Sequence, residues 1–572
     1  MSEIGKHYIE TLLAQSITEL GFSMPKIEVF RPDFSFGDFS TNLALVLAKT
    51  AKQNPIQLAE SLIEKLKILD THKHFKITQK AGFINLAWTF KSLYGNLQLV
   101  LKQQNNFGQN TLGQGQKVLV EYFQPNIAKP LHLGHIENAI VGDSLFKFFV
   151  FSGFQTESDT HLGDWGTQFG LLLLAYKKYG QLTIIEANPI AELNKLYIQI
   201  NAEAESDPAI RELGKAEFIK LEQGDRENRE LWKKFKAYSW QEFEFVYSDL
   251  GIRRADHDWP ESFYEDKMPQ VIERLTQAGL LVESQGAKIV NLEDYNLGIA
   301  LLVKSDGGTT YLLRDLATLI FRKRQGFLKQ YYVVDVRQSH TLKQTFKIIE
   351  LLGEIQPQAA VHVAYGFLTL PEGAMSTRKG TIINANEFVA GVKTEALNII
   401  QAKNPNLPNS DQVAKQVAVG AIKYFILSHN IKSDIVFDPK QAITFEGNTG
   451  PYLQYTHARI HGILRKANFY SAELPMSVSV EGQVSDSEVG LLRKLEQFPE
   501  MVQRSATELA PNLTANYLFE LAQMFNSFYQ SVSVLKETDA QLKVFRLNLI
   551  FATAQVLKNG LNLLGIEAPE EM

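Results

Sequence analysis

The sequence predicts a multidomain α/β and all-α protein. A doubly wound parallel sheet forms the middle, with a small α+β domain before it and a helical domain after it. Three observations carry this reading. From about residue 117, strand-like runs alternate with helical patterns, which is how a parallel sheet covered by helices is written. Before that, two alternating strand runs sit among amphipathic helices. After about residue 384 the apolar spacing is helical to the end, broken only by Pro-containing loops. A chain of 572 residues exceeds what one core can organise, so three or four domains are expected.

Each element has its own signal. "IGKHYIETLLAQSITELGF" has helical apolar spacing. "FGDFSTNLALVLAKTAKQNP" holds an N-cap and then a helix stopped near Pro55. "HFKITQKAGFINLAW" alternates like two paired strands with a turn at Ala81 and Gly82. "NNFGQNTLGQGQK" reads as a linker. "KVLVEYF" is the first strand of the parallel sheet, and "HIENAIVGDSLFKFFVFSG" is the helix after it. "GIALLVKS", "YYVVDV" and "VHVAYGF" are the further strands expected there, with a charged helical insertion at about 185–290. The stretch "SAELPMSVSVEGQVSDSEV" is a polar break in the helical region. The expected domains are 1–108, 116–384, a helical connector at 385–445, and 446–572.

Composition excludes several chemistries. There is no cysteine, hence no disulfide, no thiolate-bound zinc, no iron–sulfur cluster and no thiol nucleophile. The opening residues lack a signal-peptide core, and no run approaches the ~20 apolar residues that span a bilayer. A cytoplasmic protein without membrane contact is expected. The net charge of −5 gives no support to a dedicated duplex-DNA binder, although local patches matter more than the sum.

The stretch "QPNIAKPLHLGH", Gln124 to His135, lies in the loop after the first strand, where ligands of doubly wound sheets bind. His132 and His135 fall at a helix start, three residues apart and so on one face. Free N–H groups and the dipole at that point suit phosphate. Gly134 removes a side chain where a flat base could approach. The package suits ATP. A metal reading needs a third ligand, for which only His161 and Asp164 are at hand, and no HExxH is present. Two capping or solvated histidines remain a further reading. A second stretch, "AMSTRKGTIINANEF", is a Ser/Thr/Gly loop bearing Arg378 and Lys379. Such a basic loop can close on a triphosphate, although alone it also reads as a solvated loop.

Together these two stretches resemble the ATP-binding signatures of class I aminoacyl-tRNA synthetases. "EYFQPNIAKPLHLGH", "HLGDWGTQFG", "LEQGD…LWKKF", "TTYLLRDLAT", "YYVVDVRQ", "GNTGPYLQYTHARI", "LLGIEAPEEM" and the N-terminal "GDFSTNLALVLAK…NP…AGFIN" resemble the arginyl-tRNA synthetase family, in order and over nearly the whole chain. The resemblance implies a Rossmann-type catalytic core, an N-terminal domain that touches the tRNA elbow, and a C-terminal anticodon-binding domain. It implies that arginine's carboxylate attacks the α-phosphate of ATP, giving arginyl-adenylate and diphosphate, and that the terminal ribose of tRNA(Arg) then takes the arginyl group. Mg2+ is expected with ATP, with no dedicated protein metal site. A monomer is expected.

By the same resemblance, His132, Gly134, His135, Met375 and Ser376 bind ATP. Lys129 supplies the catalytic lysine, because Thr377 occupies the usual lysine position of the second signature. Arg378 and Lys379 are further catalytic cations. Asp315, Tyr311 and Gln338 would hold the arginine guanidinium, whose fork calls for paired oxygens. Glu121 and Asn126 would take the α-amino end. Tyr452, Tyr455 and Arg459, at helical spacing, and the terminal Met572 would meet the anticodon, as aromatics and arginine suit splayed bases. Phe83 and Asn85 are the elbow candidates. Bland readings stay open beside these: Asp315 as a helix N-terminal acid, Tyr311 and the tyrosine stripe as core, Glu121 as a surface charge, Phe83 and Asn85 as strand core.

The sequence leaves the family's pattern at several points. Leu-Arg-Ser after the first signature is here Ile136-Glu137-Asn138; Glu137 must face away from phosphate or be paired. Ala374 stands for a lysine, Thr341 for a histidine (His340 is displaced by one), Gln124 for a serine and Glu571 for an arginine. A tRNA-binding paralogue of weak activity is therefore the alternative to an active ligase. A smaller nucleotidyltransferase would share the histidine motif but would not need the helical C-terminal region.

Overall fold

The run Lys117–Glu121 is apolar on both faces, which suits a strand covered on both sides. In the computed structural model, which describes residues 5–371, 384–469 and 480–572, it is a central strand of a four-stranded parallel sheet. The order across that sheet is Ala360–Tyr365, Lys329–Asp335, Lys117–Glu121, Gln155–Asp159. The 19-residue helix Leu133–Phe151 follows the 117–121 strand and is buried along nearly its whole length, its polar Glu137, Asn138, Asp143 and Ser144 included, rather than carrying one apolar stripe.

Two expectations about this sheet need correction. Ile299–Val303 is not in it; it pairs antiparallel with Ala287–Asn291 in a separate three-stranded sheet completed by Leu281–Ser284. An apolar run of five residues cannot reveal which sheet it joins. The strand Gln155–Asp159 was missed because "QTESD" carries no apolar residue. Ser158 and Asp159 are nevertheless buried, satisfied by side-chain partners. The insertion is helical from Leu182 to Ser248, then turns into a short 3-10 segment, a helix and that antiparallel sheet.

The N-terminal unit is a four-stranded sheet ordered Val29–Phe30, Phe39–Thr41, Phe83–Trp88, Phe75–Lys80. Its hairpin turns at Ala81 (φ 51) and Gly82 (φ 85), as two consecutive left-handed residues require. The preceding helix ends at Ala51, and Pro55 opens the next one, capped by the Asn54 side chain. The segment read as a linker is docked instead. Phe107 is buried, and Asn559 donates to the carbonyls of Gln104 (2.8 Å) and Phe107 (3.1 Å). C-terminal to residue 384 the described elements are helical apart from the short strand Ile435–Val436, which pairs back with Leu368–Thr369. No helix among the described residues is long and apolar enough to cross a membrane.

Candidate active site and nucleic-acid interface

The chain leaves the 117–121 strand through a strained turn. Phe123 (φ 58) and Ala128 (φ 59) sit in the left-handed region, as does His161 (φ 39) in the neighbouring loop. The two loops are laced together: Ile127 N–H donates to the Gly163 carbonyl, and Gly163 N–H to the Pro125 carbonyl, both at 3.1 Å. A Cβ at position 163 would lie 2.2 Å from Oδ1 of Asn126, so only glycine lets Asn126 sit there.

His132 is the N-cap of helix Leu133–Phe151, and its backbone N–H donates to Nδ1 of His135 at 3.2 Å. That bond places the neutral His135 proton on Nε2. The two rings stack with centroids 3.8 Å apart. Burial, and for His135 the neighbouring His132, push both imidazoles below their usual range, so they are neutral donors at physiological pH. The His132 ring lies over Gly134, where a Cβ would come within 3.1 Å of it. Lys129 donates to Gln168 (3.2 Å) and lies 4.6 Å from the Tyr197 ring centroid, without a carboxylate partner among the described residues. Burial lowers its pKa. Gln168 and Tyr197 belong to helices Thr167–Tyr179 and Pro189–Ser206, so the insertion builds part of this wall.

Next to this lies an acidic floor. Arg322 is fully buried and ion-paired with both Glu121 and Asp159. Glu121, Asp159 and His161 bring ligand atoms within 4.8 Å of one another, a spacing that could hold a metal. The Arg322 guanidinium already compensates both carboxylates. Burial pulls the Glu121 pKa up, but Arg322 outweighs it and the net direction is down; in Asp159 burial wins, at about 6. Burial carries His161 down to about 4. Arg322, Asp159 and His161 were not singled out for this pocket from sequence. A buried-polar strand followed by His161 is the signal that could have found two of them.

Asp315 lies in helix Tyr311–Arg324, and its carboxyl has no hydrogen-bond or ion-pair partner among the described residues. Burial, then the nearby Glu121, push its carboxyl up to about 7. Tyr311, the first residue of that helix, is 57% exposed. Its hydroxyl stands 4.0 Å from where a Gly166 Cβ would be. Gln338 is exposed at the start of helix Ser339–Leu351. Asn384 bridges to His132, and Ala385 N–H donates to the Leu131 carbonyl at 3.0 Å. Met375, Ser376, Arg378 and Lys379 lie outside the described residues, as do Ala374 and Thr377.

A second site lies in the helical C-terminal region. Tyr452, Tyr455 and Arg459 share one stripe of helix Gly450–Lys466 and line a cavity of about 580 Å³ with Phe445, Asn526 and Met572. Asn526 donates to the Tyr452 hydroxyl and accepts from Arg459, both at 2.8 Å. The Arg459 guanidinium lies 4.8 Å from the Tyr455 ring centroid. In the N-terminal sheet Phe83 is half-buried, while Asn85 is buried and accepts from the Ser40 hydroxyl at 2.8 Å.

Known proteins fit the same division. The model of the class I tRNA synthetase (R) catalytic domain matches residues 96–439. The DALR anticodon-binding domain matches 453–572, and the arginyl-tRNA synthetase N-terminal domain matches 7–87. The arginine–tRNA ligase of Lactococcus lactis subsp. lactis (strain IL1403) is 43% identical over 532 residues, 92% of this chain and 93% of that relative. This chain belongs to the arginyl-tRNA synthetases. The arginine–tRNA ligase of Clostridioides difficile (strain 630) is 39% identical over 99% of this synthetase and 98% of its own length. The arginyl-tRNA synthetase of Thermus thermophilus superposes with a TM-score of 0.82 at 26% identity, covering 99% of each chain.

Proposed function

We propose that this arginine–tRNA ligase forms arginyl-adenylate between the His132 helix start and Asp315, then passes the arginyl group to tRNA(Arg). The observation that carries the pocket is Asp315. Arg314 and Arg322 are already matched by acids, whereas the Asp315 carboxyl has no ion-pair partner among the described residues. A guanidinium supplied by substrate is the complement of that acid. Tyr311 and Gln338 would flank it, and Glu121 and Asn126 would take the α-amino end.

Class I synthetases use ATP, typically with Mg2+. In the proposed roles, neutral His132 and His135 donate to phosphate beside the bare backbone of Gly134, and Lys129 neutralises charge developing at the α-phosphate. Met375 and Ser376 are proposed for ATP, and Arg378 and Lys379 for the departing diphosphate. Attack by a carboxylate needs no strong base, so positioning carries most of the rate. The 1–108 domain is proposed to meet the tRNA elbow through Phe83, Asn85 being taken up by Ser40. The 446–572 domain is proposed to meet the anticodon through Tyr452, Tyr455, Arg459 and Met572, joined to the 116–384 core by 385–445. The enzyme is proposed to act as a cytoplasmic monomer.

The deciding experiment is aminoacylation of tRNA(Arg) with labelled arginine, ATP and magnesium, with lysine and citrulline as controls. Charging with arginine alone supports the pocket. Charging with citrulline would sink it, because an uncharged ureido group has no claim on Asp315.

A further inference from the structure

Gln124 and Asn138 are two of the positions where the sequence leaves its family's pattern, and they touch. Asn138, buried on the second turn of helix Leu133–Phe151, donates through Nδ2 to Gln124 Oε1 at 3.0 Å. The same nitrogen donates to the Val333 carbonyl (2.6 Å) and reaches the Tyr365 hydroxyl (3.3 Å). Its Oδ1 accepts from the backbone N–H of Phe123, the residue at φ 58. Gln124 in turn donates through Nε2 to Glu121 Oε1 (3.1 Å) and to the Val333 carbonyl (3.3 Å).

These bonds fix one another's direction. A backbone N–H can only donate, so Asn138 must present its oxygen to Phe123 and its nitrogen to Gln124. Gln124 must then present oxygen to Asn138 and nitrogen to Glu121. The order runs from a strained backbone turn through two amides to one carboxylate oxygen. Arg322 holds the same carboxylate by its other oxygen. Glu121 is thus gripped at both oxygens, with its charged form favoured.

We propose that Gln124 and Asn138 are a positioning pair that aims Glu121 at the α-amino group of the arginine substrate. This rests on the assignment of Glu121 to that group. The pair acts through Glu121 and does not itself touch the substrate. Its two members work as one relay, so breaking either link loosens the same carboxylate oxygen while Arg322 keeps the other.

The test is steady-state aminoacylation by the full-length chain, with KM for arginine, ATP and tRNA(Arg) and kcat measured separately. The variants are Gln124→Ala, Asn138→Asp, their combination, and Glu121→Gln. Asn138→Asp keeps the oxygen that accepts from Phe123 but turns the donor into an acceptor facing Gln124 Oε1 and the Val333 carbonyl, so circular dichroism and a melting curve are recorded with it to show that it folds. Each single variant is expected to raise KM for arginine about tenfold, the scale of one hydrogen bond to a charged group, with KM for ATP and tRNA within about twofold. The combination is expected to be no worse than the worse single variant, as for residues acting through one partner. Gln124→Ser, smaller but still a donor, should recover part of the loss. The proposal is overturned if Gln124→Ala leaves KM for arginine unmoved while Glu121→Gln raises it. It is also overturned if the losses add, or fall equally on all three substrates. If Glu121→Gln itself leaves KM for arginine unmoved, the assignment of Glu121 fails, and the pair with it.

Discussion

Arg314 and Asp315 are consecutive residues with opposite pairing. Arg314 is ion-paired with Glu261 (3.2 Å) and Glu265 (3.1 Å), while Asp315 has no ionic partner among the described residues. Consecutive helical side chains do not face each other, and Arg314 is committed to those two acids. The acid is thereby left for a cation from outside.

Asp315→Ala should therefore cost arginine binding far more than anything else. Removing one side of a buried charge pair costs about 3–5 kcal/mol, so KM for arginine should rise by at least about two orders of magnitude. KM for tRNA(Arg) should hold. If arginine affinity barely changed, the guanidinium would lie elsewhere.

The same residue gives a pH signature. Free Asp315 is pushed up to about 7, mainly by burial. Only its ionised form can pair with a guanidinium. KM for arginine should therefore rise as pH falls from about 8 to 6, by roughly tenfold per unit once below the pKa. Asp315→Asn should have a high, flat KM over this range. A wild-type profile that is flat through pH 7 would count against Asp315 as the arginine acid.

Much of this was legible in the sequence. The histidine pair and the tyrosine stripe show helical spacing, and Asp315 is picked out by the resemblance of its motif; the structure puts all of them on helices or at a helix start, with the tyrosine stripe along one cavity. The acidic floor was not legible. Arg322 reads as one cation in the run "FRKR", and nothing local says that it reaches Glu121 some 200 residues earlier. Gln155–Asp159 hid for a related reason. Its buried positions are polar, satisfied only by side chains distant in sequence. Glu137, an awkward substitution on paper, is 2% exposed and lies beside the Leu368 backbone.

Arg322→Met is expected to destabilise the fold as well as the site. It leaves Glu121 and Asp159 buried without their shared cation, a loss of about 3–5 kcal/mol. Chemical denaturation should show it. Combining Arg322→Met with Asp159→Asn should recover part of the stability without recovering arginine binding. Stability unchanged in the single variant would mean that water or a solvent cation reaches this floor.

Tyr455→Ala should act on tRNA alone. Its ring is 38% exposed beside Arg459, at the mouth of the 580 Å³ cavity. Loss of one base-stacking surface costs about 1–3 kcal/mol, so KM for tRNA(Arg) should rise about 5- to 100-fold. KM for arginine and ATP should not move. A loss spread across all three would mean that the stripe is core.

Glu137 offers a stability test with a definite sign. Burial first, then Asp335, raise its pKa from 4.5 to about 8, and Oε2 has no hydrogen-bond partner among the described residues. The unfolded chain gives up this proton near pH 4.5, the folded chain near 8. Between the two the folded form binds more protons, so the stability from the neutral carboxyl is full below the lower value and falls as pH rises toward the upper. Glu137→Gln is neutral at every pH and keeps the shape. Its melting temperature relative to the wild type should climb by about 1–3 °C between pH 5 and pH 8.5, and level off above that. A difference that stays constant with pH would mean that Glu137 is ionised throughout, and that the carboxylate has found a cation.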